Sequence, residues 1–133
     1  MTIHWDSKFE IGHQRIDSEH QIFLGLIVDL DKAVEAGDSR ERLLRMVHEI
    51  EAYARFHFVS EENIMIDIAY PELDSHRSKH RLLLASMKDK AYEFARRTTD
   101  AETIVTFTFE WFALHTTQVD KKIATFIAQR AAT

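Results

Sequence analysis

Four stretches of the sequence repeat apolar residues at intervals of three and four, which is the spacing of one buried face of an α-helix. These intervals predict helices over residues 18–36, 39–67, 72–97 and 101–128. The breaks between the stretches are short, so neighbouring helices are expected to run antiparallel. The sequence therefore predicts an all-α fold, an up-down-up-down antiparallel four-helix bundle.

Local signals mark where these helices begin. Asp17 is the expected N-cap of the first helix, because its side chain can accept a hydrogen bond from a free backbone N–H. Asp38, with Glu41 three residues later, resembles a capping box at the start of the second helix. Pro71 separates the second helix from the third, since proline disfavours helical geometry in the residue before it. Asp100 is the expected cap of the fourth helix.

The residues before the first helix, 1–16, are expected to form an N-terminal arm. This arm carries Trp5, Phe9 and Ile11, which predicts that it packs on the surface of the bundle. A chain of 133 residues is long enough to bury one sizeable core, so residues 1–133 are expected to form a single domain.

Composition excludes several classes of function. The absence of cysteine rules out disulfides, thiolate metal sites and iron–sulfur clusters. A formal net charge of −5 without a basic stripe argues against a nucleic-acid partner. No apolar run approaches the ~20 residues that span a bilayer, so no membrane insertion is expected. The first residues lack the basic and apolar segments of a signal peptide, which predicts a cytoplasmic location.

Histidines and carboxylates interrupt the apolar face of each predicted helix. His57 and Glu61 are four residues apart, which places them on one helix face about one turn apart. In an up-down-up-down bundle, the starts of the first and third helices meet the ends of the second and fourth. Five imidazoles and two carboxylates are therefore expected to converge at one end of the core: His20, His57, Glu61, His76, His80, His115 and Asp120.

This set of side chains matches the ligands of borderline divalent metals. Buried carboxylates without partners would cost several kcal/mol each, so a partner is needed. Seven ligands are too many for one tetrahedral zinc ion and too rich in nitrogen for calcium or magnesium. They suit two metal ions bridged by the two carboxylates.

Each of these residues also has an ordinary structural interpretation. A single histidine on an apolar face is more often a core residue with a hydrogen-bond partner, and His-x-x-x-His alone would suggest zinc. A metal centre is favoured because all four predicted helices contribute a histidine or carboxylate at the same end of the core. The remaining histidines, His4, His13 and His48, fall outside this set and are interpreted as surface residues.

Four segments carry a resemblance to a known family: residues 12–20, 57–62, 76–80 and 111–115, the last followed by Asp120. With these segments the chain resembles the hemerythrin family and its cation-binding HHE-type fold, in particular the single-domain bacterial hemerythrins. The resemblance covers nearly the whole chain, and every ligand position holds the residue type of the family.

The resemblance implies two inequivalent iron ions. It implies that His76, His80 and His115 bind one iron, while His20 and His57 bind the other, which keeps an open position. Glu61 and Asp120 would bridge the pair together with a solvent-derived oxygen. The implied function is reversible binding of O₂ at the open position.

The predicted fourth helix, residues 101–128, has two further features. His115 and Asp120 are five residues apart, roughly 140° around a regular helix, so the carboxylate is expected to reach sideways. Phe112 stands one turn before His115, where the family commonly has a leucine beside the O₂ site. Phe58 and Trp111 are expected to complete the apolar wall of that O₂ pocket, although both are equally ordinary as core aromatics.

The sequence is compatible with three functions. The first is an oxygen carrier, a store, or a supplier to an unknown oxygen-using enzyme. The second is an O₂ or redox sensor that acts through a separate partner. The third is a di-iron oxidase or peroxidase. We expect that the chain is not an enzyme, because O₂-activating di-iron sites are usually rich in carboxylates and this set is rich in nitrogen.

Overall fold

The computed structural model describes residues 3–132 and forms the predicted four-helix bundle. A short 3₁₀ turn at Ser7–Phe9 precedes the first helix. The helices are α1 (Gln14–Glu35), α2 (Arg40–Asp67), α3 (Leu73–Ala95), α4 (Ala101–His115) and α5 (Lys121–Ala132). A π-helical turn, Thr116–Asp120, joins α4 to α5, so that these two form the fourth rod of the bundle.

The first helix begins earlier than predicted, and the predicted cap was wrong. His13 caps α1, with its Nδ1 accepting a hydrogen bond from the N–H of Ile16 at 3.3 Å. Asp17 instead accepts from the N–H groups of Ile11 and Gly12, at 2.8 and 3.1 Å. The chain turns sharply at Gly12, whose positive φ of 94° is readily adopted only by glycine. His13 is therefore a half-buried capping residue, not a plain surface histidine.

The second helix also starts differently. Ser39 is its cap and accepts from the N–H of Arg42 at 3.2 Å. Asp38, the predicted cap, lies outside the helix and accepts from the side chain of Arg42 at 2.8 Å. The predicted cap of the fourth helix is confirmed, since Asp100 accepts from the N–H of Thr103 at 2.8 Å.

The N-terminal arm packs on the bundle as predicted. Phe9 and Ile11 are buried, and Trp5 is half-buried against the same core. His4 and His48 are exposed, which confirms their interpretation as surface residues. Across residues 3–132, every helix is too polar or too short for a membrane crossing.

Candidate metal centre

All seven side chains of the predicted metal site lie together in the core, and none is more than 5% exposed. They form two groups, within each of which the candidate ligand atoms lie within 4.8 Å of one another. The first group is His20, His57 and Glu61, and the second is Glu61, His76, His80, His115 and Asp120. We call these the two-histidine side and the three-histidine side.

Glu61 lies between the two sides. Its Oε1 is 2.7 Å from Nε2 of His76 and 3.2 Å from Nε2 of His80. Its Oε2 faces the other side, at 3.2 Å from Nε2 of His57 and 3.7 Å from Nε2 of His20. One carboxylate therefore presents one oxygen to each group of imidazoles.

Asp120 has the same arrangement. Its Oδ1 is 3.0 Å from Nε2 of His76 and 3.1 Å from Nε2 of His115. Its Oδ2 is 3.1 Å from Nε2 of His20. Both carboxylates thus span the boundary between the two groups, which is the placement that a bridging ligand requires.

The π-helical turn explains how His115 and Asp120 reach one centre despite their spacing. The extra residue in the turn widens the helix, so side chains five positions apart lie near the same face. The expectation that the carboxylate reaches sideways was wrong, because the backbone itself turns Asp120 inward. Thr117 donates its hydroxyl hydrogen to the carbonyl of Ala113 at 2.7 Å, which satisfies an acceptor beside the turn. Such single-turn bulges occur frequently at functional sites.

Not all polar atoms of the cluster have hydrogen-bond partners among residues 3–132, although Nε2 of His76 bonds to Oε1 of Glu61 at 2.7 Å. Oε2 of Glu61, Oδ1 of Asp120 and Nε2 of His80 are buried and have no hydrogen-bond partner. Nε2 of His76 and Nε2 of His115 are 3.2 Å apart. Ligand atoms around an octahedral ion at about 2.1 Å lie about 3 Å from their neighbours. The donor set and its spacing therefore fit metal ions better than they fit a hydrogen-bonded core.

The charges of the cluster shift the pKa of its members. Burial alone would lower the pKa of His20, but the Asp120 and Glu61 carboxylates outweigh it and raise that pKa to about 10. The same balance raises the pKa of His76 to about 9. Burial would raise the pKa of Glu61, yet the facing imidazoles hold it well below its usual range. Without metal, protonated His20 and His76 would face these carboxylates, and bound metal ions would replace those protons.

A buried carboxylate that sequence reasoning missed supports the two-histidine side. Nδ1 of His57 donates to Oε1 of Glu19 at 2.7 Å, and Ser60 donates to Oε2 of Glu19 at 2.8 Å. Arg15 adds an ion pair to Glu19 at 3.2 Å. Because a carboxylate only accepts, Nδ1 of His57 must carry the proton, which leaves the Nε2 lone pair directed into the cluster.

The three-histidine side has a matching support. Nδ1 of His80 donates to Oε2 of Glu62 at 2.9 Å, and Nε of Arg77 donates to Oε1 of Glu62 at 3.0 Å. Each side thus contains one arginine–glutamate–histidine chain that runs inward from the surface. Glu19 and Glu62 stand next to His20 and Glu61 in the sequence, but adjacency alone does not reveal which histidine they contact.

Phenylalanine rings enclose the two-histidine side. Phe112 is 1% exposed, and its ring lies 5.6 Å from the ring of His20. Phe23, which sequence reasoning did not select, lies 5.6 Å from Phe112 and 6.3 Å from His57. Phe9 of the arm covers Phe112 at 5.2 Å. None of these side chains can donate a hydrogen bond.

The other two predicted aromatics lie against the three-histidine side. Phe58 stacks on His80 with ring centroids 3.9 Å apart, and it also reaches His57 at 5.7 Å. Trp111 stacks on His115 at 4.2 Å and is half-buried at the surface. Phe58 therefore touches both sides, whereas Trp111 contacts only the three-histidine side.

The bundle and its cluster define a four-helix protein with a buried site for metal cations. The family model described as the hemerythrin HHE cation binding domain matches residues 12–127. The chain therefore belongs to the hemerythrin family, as the resemblance predicted. Domains of this family hold two non-haem iron ions and bind O₂.

Individual relatives agree with this assignment. A bacteriohemerythrin of Ralstonia nicotianae is 30% identical over an alignment that covers 97% of this chain and 91% of that protein. A myohemerythrin of Theromyzon tessulatum is 29% identical, over 63% of this chain and only 64% of its own length. A crystal structure of a wild-type hemerythrin superimposes with a TM-score of 0.84 at 22% identity, covering 94% of this chain and 97% of that one. This structural likeness confirms the fold.

Proposed function

We propose that this chain binds O₂ reversibly at a di-iron centre and serves as an oxygen carrier, store or delivery protein. The proposal assigns three histidines to one iron and two to the other, with both carboxylates shared. The observation that carries it is the unequal number of imidazoles around two shared carboxylates. The proposed iron ligands are His20, His57, Glu61, His76, His80, His115 and Asp120.

The two-histidine side is the proposed place for O₂. It offers one imidazole fewer than the opposite side, so a metal ion bound there would have a coordination position for a small external ligand. When bound, the iron pair would supply the reversible redox chemistry that takes up and releases O₂. The chain's contribution is to hold neutral imidazoles in place and to keep the position dry.

The aromatic enclosure supports reversible binding over oxidation of a substrate. Phe112, Phe23 and Phe58 line the vicinity of His20 and His57, and none can give a proton to a bound ligand. Trp111 supports the centre from the other side through its stack on His115. Five imidazoles with two carboxylates also differ from the carboxylate-rich sites that activate O₂ for catalysis.

Visible absorption spectra of the iron-loaded protein, recorded through cycles of nitrogen and oxygen, test this proposal. We expect two irons per chain and an O₂-dependent band that disappears when oxygen is removed. His57→Ala should lose iron and the band, while His48→Ala, an exposed histidine on the same helix, should keep both. One metal per chain, zinc as the native metal, or a band that never reverses would contradict the proposal.

A further inference from the structure

A groove of about 490 Å³ runs over the three-histidine side and reaches one of its imidazoles. Trp111 and His115 both line this groove, where the indole lies nearly parallel to the imidazole at an interplanar angle of 15°. The two-histidine side lies behind Phe9 and Phe112, which are 2% and 1% exposed. Trp111 and His115 therefore bring the three-histidine side to the wall of this groove.

The rim of the groove is positively charged in a chain whose net charge is −5. Lys79 and Lys122 line it, and no acidic residue does. Neither lysine has an ion-pair partner among residues 3–132, whereas Arg15, Arg55 and Arg77 each pair with a glutamate. The same two lysines also line a neighbouring depression.

Apolar side chains also line the groove. Leu114, which is 58% exposed, and Val119 do so together with Trp111. An acidic group does occur nearby, since Glu72 lines the neighbouring depression, where it accepts from Tyr70 at 3.3 Å. An apolar centre with a cationic rim is the surface that a partner with an acidic rim fits.

Reversible O₂ binding creates a need for such a partner. If the bound O₂ left as hydrogen peroxide, with two electrons from the irons and two protons from water, both irons would stay oxidised. Two electrons would then have to come from outside to restore the site. The chain has no cysteine and therefore no thiol that could supply them. A donor must dock, and its electrons travel most easily where the path through the protein is shortest.

We infer that the surface formed by Lys79, Trp111, Leu114 and Lys122 docks a small acidic one-electron carrier protein, which returns the oxidised centre to its reduced form. This inference rests on the proposed function. One electron crosses through the Trp111–His115 stack in each encounter, the donor is oxidised by one electron, and two encounters reduce both irons. No atom is transferred to the chain.

Stopped-flow reduction of the air-oxidised, iron-loaded protein tests the surface, with a reduced plant-type [2Fe–2S] ferredoxin as the acidic donor. Lys79→Glu combined with Lys122→Glu should lower the second-order rate about 10- to 100-fold at low salt, and the difference should disappear at high salt. The matched control is Lys32→Glu with Lys88→Glu, which reverses the charge of two exposed lysines toward the opposite end of the bundle. It changes the net charge by the same amount. An equal loss in both double variants would overturn the docking surface.

A second set of variants tests the ring stack. Trp111→Leu should slow electron transfer several-fold at saturating donor, where a change in docking affinity no longer limits the rate, and Trp111→Phe should recover most of that rate. Trp5→Leu serves as the control, because Trp5 packs on Phe9 and makes no ring contact with a cluster histidine in the described part of the chain. If Trp111→Leu leaves the saturated rate at the wild-type value, the stack is not the path.

Two further measurements separate this inference from the proposed function. Iron content and the O₂-dependent absorption band are recorded first for the wild type and every variant. If the wild type fails to bind iron or to show the band, that result contradicts the proposed function and does not test the docking surface. Docking is then measured without electron transfer, by NMR titration of the zinc-loaded protein with the ferredoxin. Resonance shifts centred on Trp111 and Leu114 are expected, and shifts centred on another face would overturn the docking surface.

Discussion

Nδ1 of His57 lies 2.7 Å from Oε1 of Glu19, and this contact fixes the proton of a predicted ligand from a neighbouring helix. Glu19 is itself 7% exposed, so its charge acts in a medium that screens it weakly. Burial would raise the pKa of Glu19, but His57, Ser60 and Arg15 lower it below its usual value. An ionised carboxylate behind an imidazole makes that imidazole a stronger donor to a metal.

Replacing Glu19 by glutamine removes the charge and keeps an oxygen acceptor. We expect Glu19→Gln to weaken metal binding about 10- to 100-fold, which is the usual effect of losing such a partner. The loss should begin with the ion of the two-histidine side. Glu62→Gln should instead weaken the ion of the three-histidine side, since Glu62 holds His80. Competition with a chelator measures both. The control is Glu51→Gln, because Glu51 is a half-buried glutamate of α2 that pairs with Arg55 at 3.1 Å. Equal affinities in all three variants would contradict the role of these carboxylates.

Phe112→Ala should open a cavity beside His20. Truncating a fully buried phenylalanine costs about 3–5 kcal/mol of unfolding free energy. Water admitted there should shorten the lifetime of the O₂-dependent absorption band in air, with the iron content unchanged. Phe112→Leu should keep reversible binding and mainly change its rates.

The control for this experiment is Phe94→Ala, which truncates an equally large residue that is 3% exposed and lies near the end of α3, away from the cluster. It should destabilise the fold by a similar amount without shortening the lifetime of the band. If the band decays at the same rate in wild type and Phe112→Ala, Phe112 is a plain core residue.

Stability should respond to pH in opposite directions with and without metal. In the metal-free protein the pKa of His20 is raised to about 10 and that of His76 to about 9. A raised pKa contributes stability that is complete below the unfolded value of about 6.5 and is lost as pH rises through the folded value. Denaturant titrations of metal-free protein should therefore show less stability at pH 9.5 than at pH 6.5.

The metal-loaded protein should instead lose stability in acid. Metal binding requires neutral imidazoles, so protons compete with the ions as the pH falls below neutrality. Removing the metal at neutral pH should also lower the melting temperature, because the folded chain then loses the free energy of ion binding. Coinciding melts of the two forms, or metal release that is independent of pH, would show that the cluster does not hold the metal.

Gly25 offers a test of the fold that leaves the site alone. It lies inside α1, and a Cβ added there would meet nothing within 4 Å. Gly25→Ala should raise the unfolding free energy by about 0.5–1 kcal/mol, since alanine favours the helix more. Gly37→Ala is the matched opposite, because Gly37 has a φ of 71° that strains other residues, and it should destabilise. Thermal melts at constant metal content measure both.

The sequence by itself determined the four rods and the seven residues that meet in the core. Both follow from periodicity: intervals of three and four define a helix face, and the alternating direction of the helices places His20 near His57. It also indicated the family, because the four short segments that carry the ligand residues resemble those of the hemerythrins. The helices and their ligand residues depend on the spacing of residues within each segment, which the sequence shows directly.

Only the tertiary structure decided the details that complete the site. Whether Asp17 or His13 caps α1 depends on how the arm turns at Gly12 and packs against the bundle. The widening of the helix between His115 and Asp120 depends on the whole cluster, which favours an inward carboxylate over a regular turn. The partners of Glu19 and Glu62 lie across helix interfaces, and the rotation of one helix against another is set by packing that no local pattern encodes.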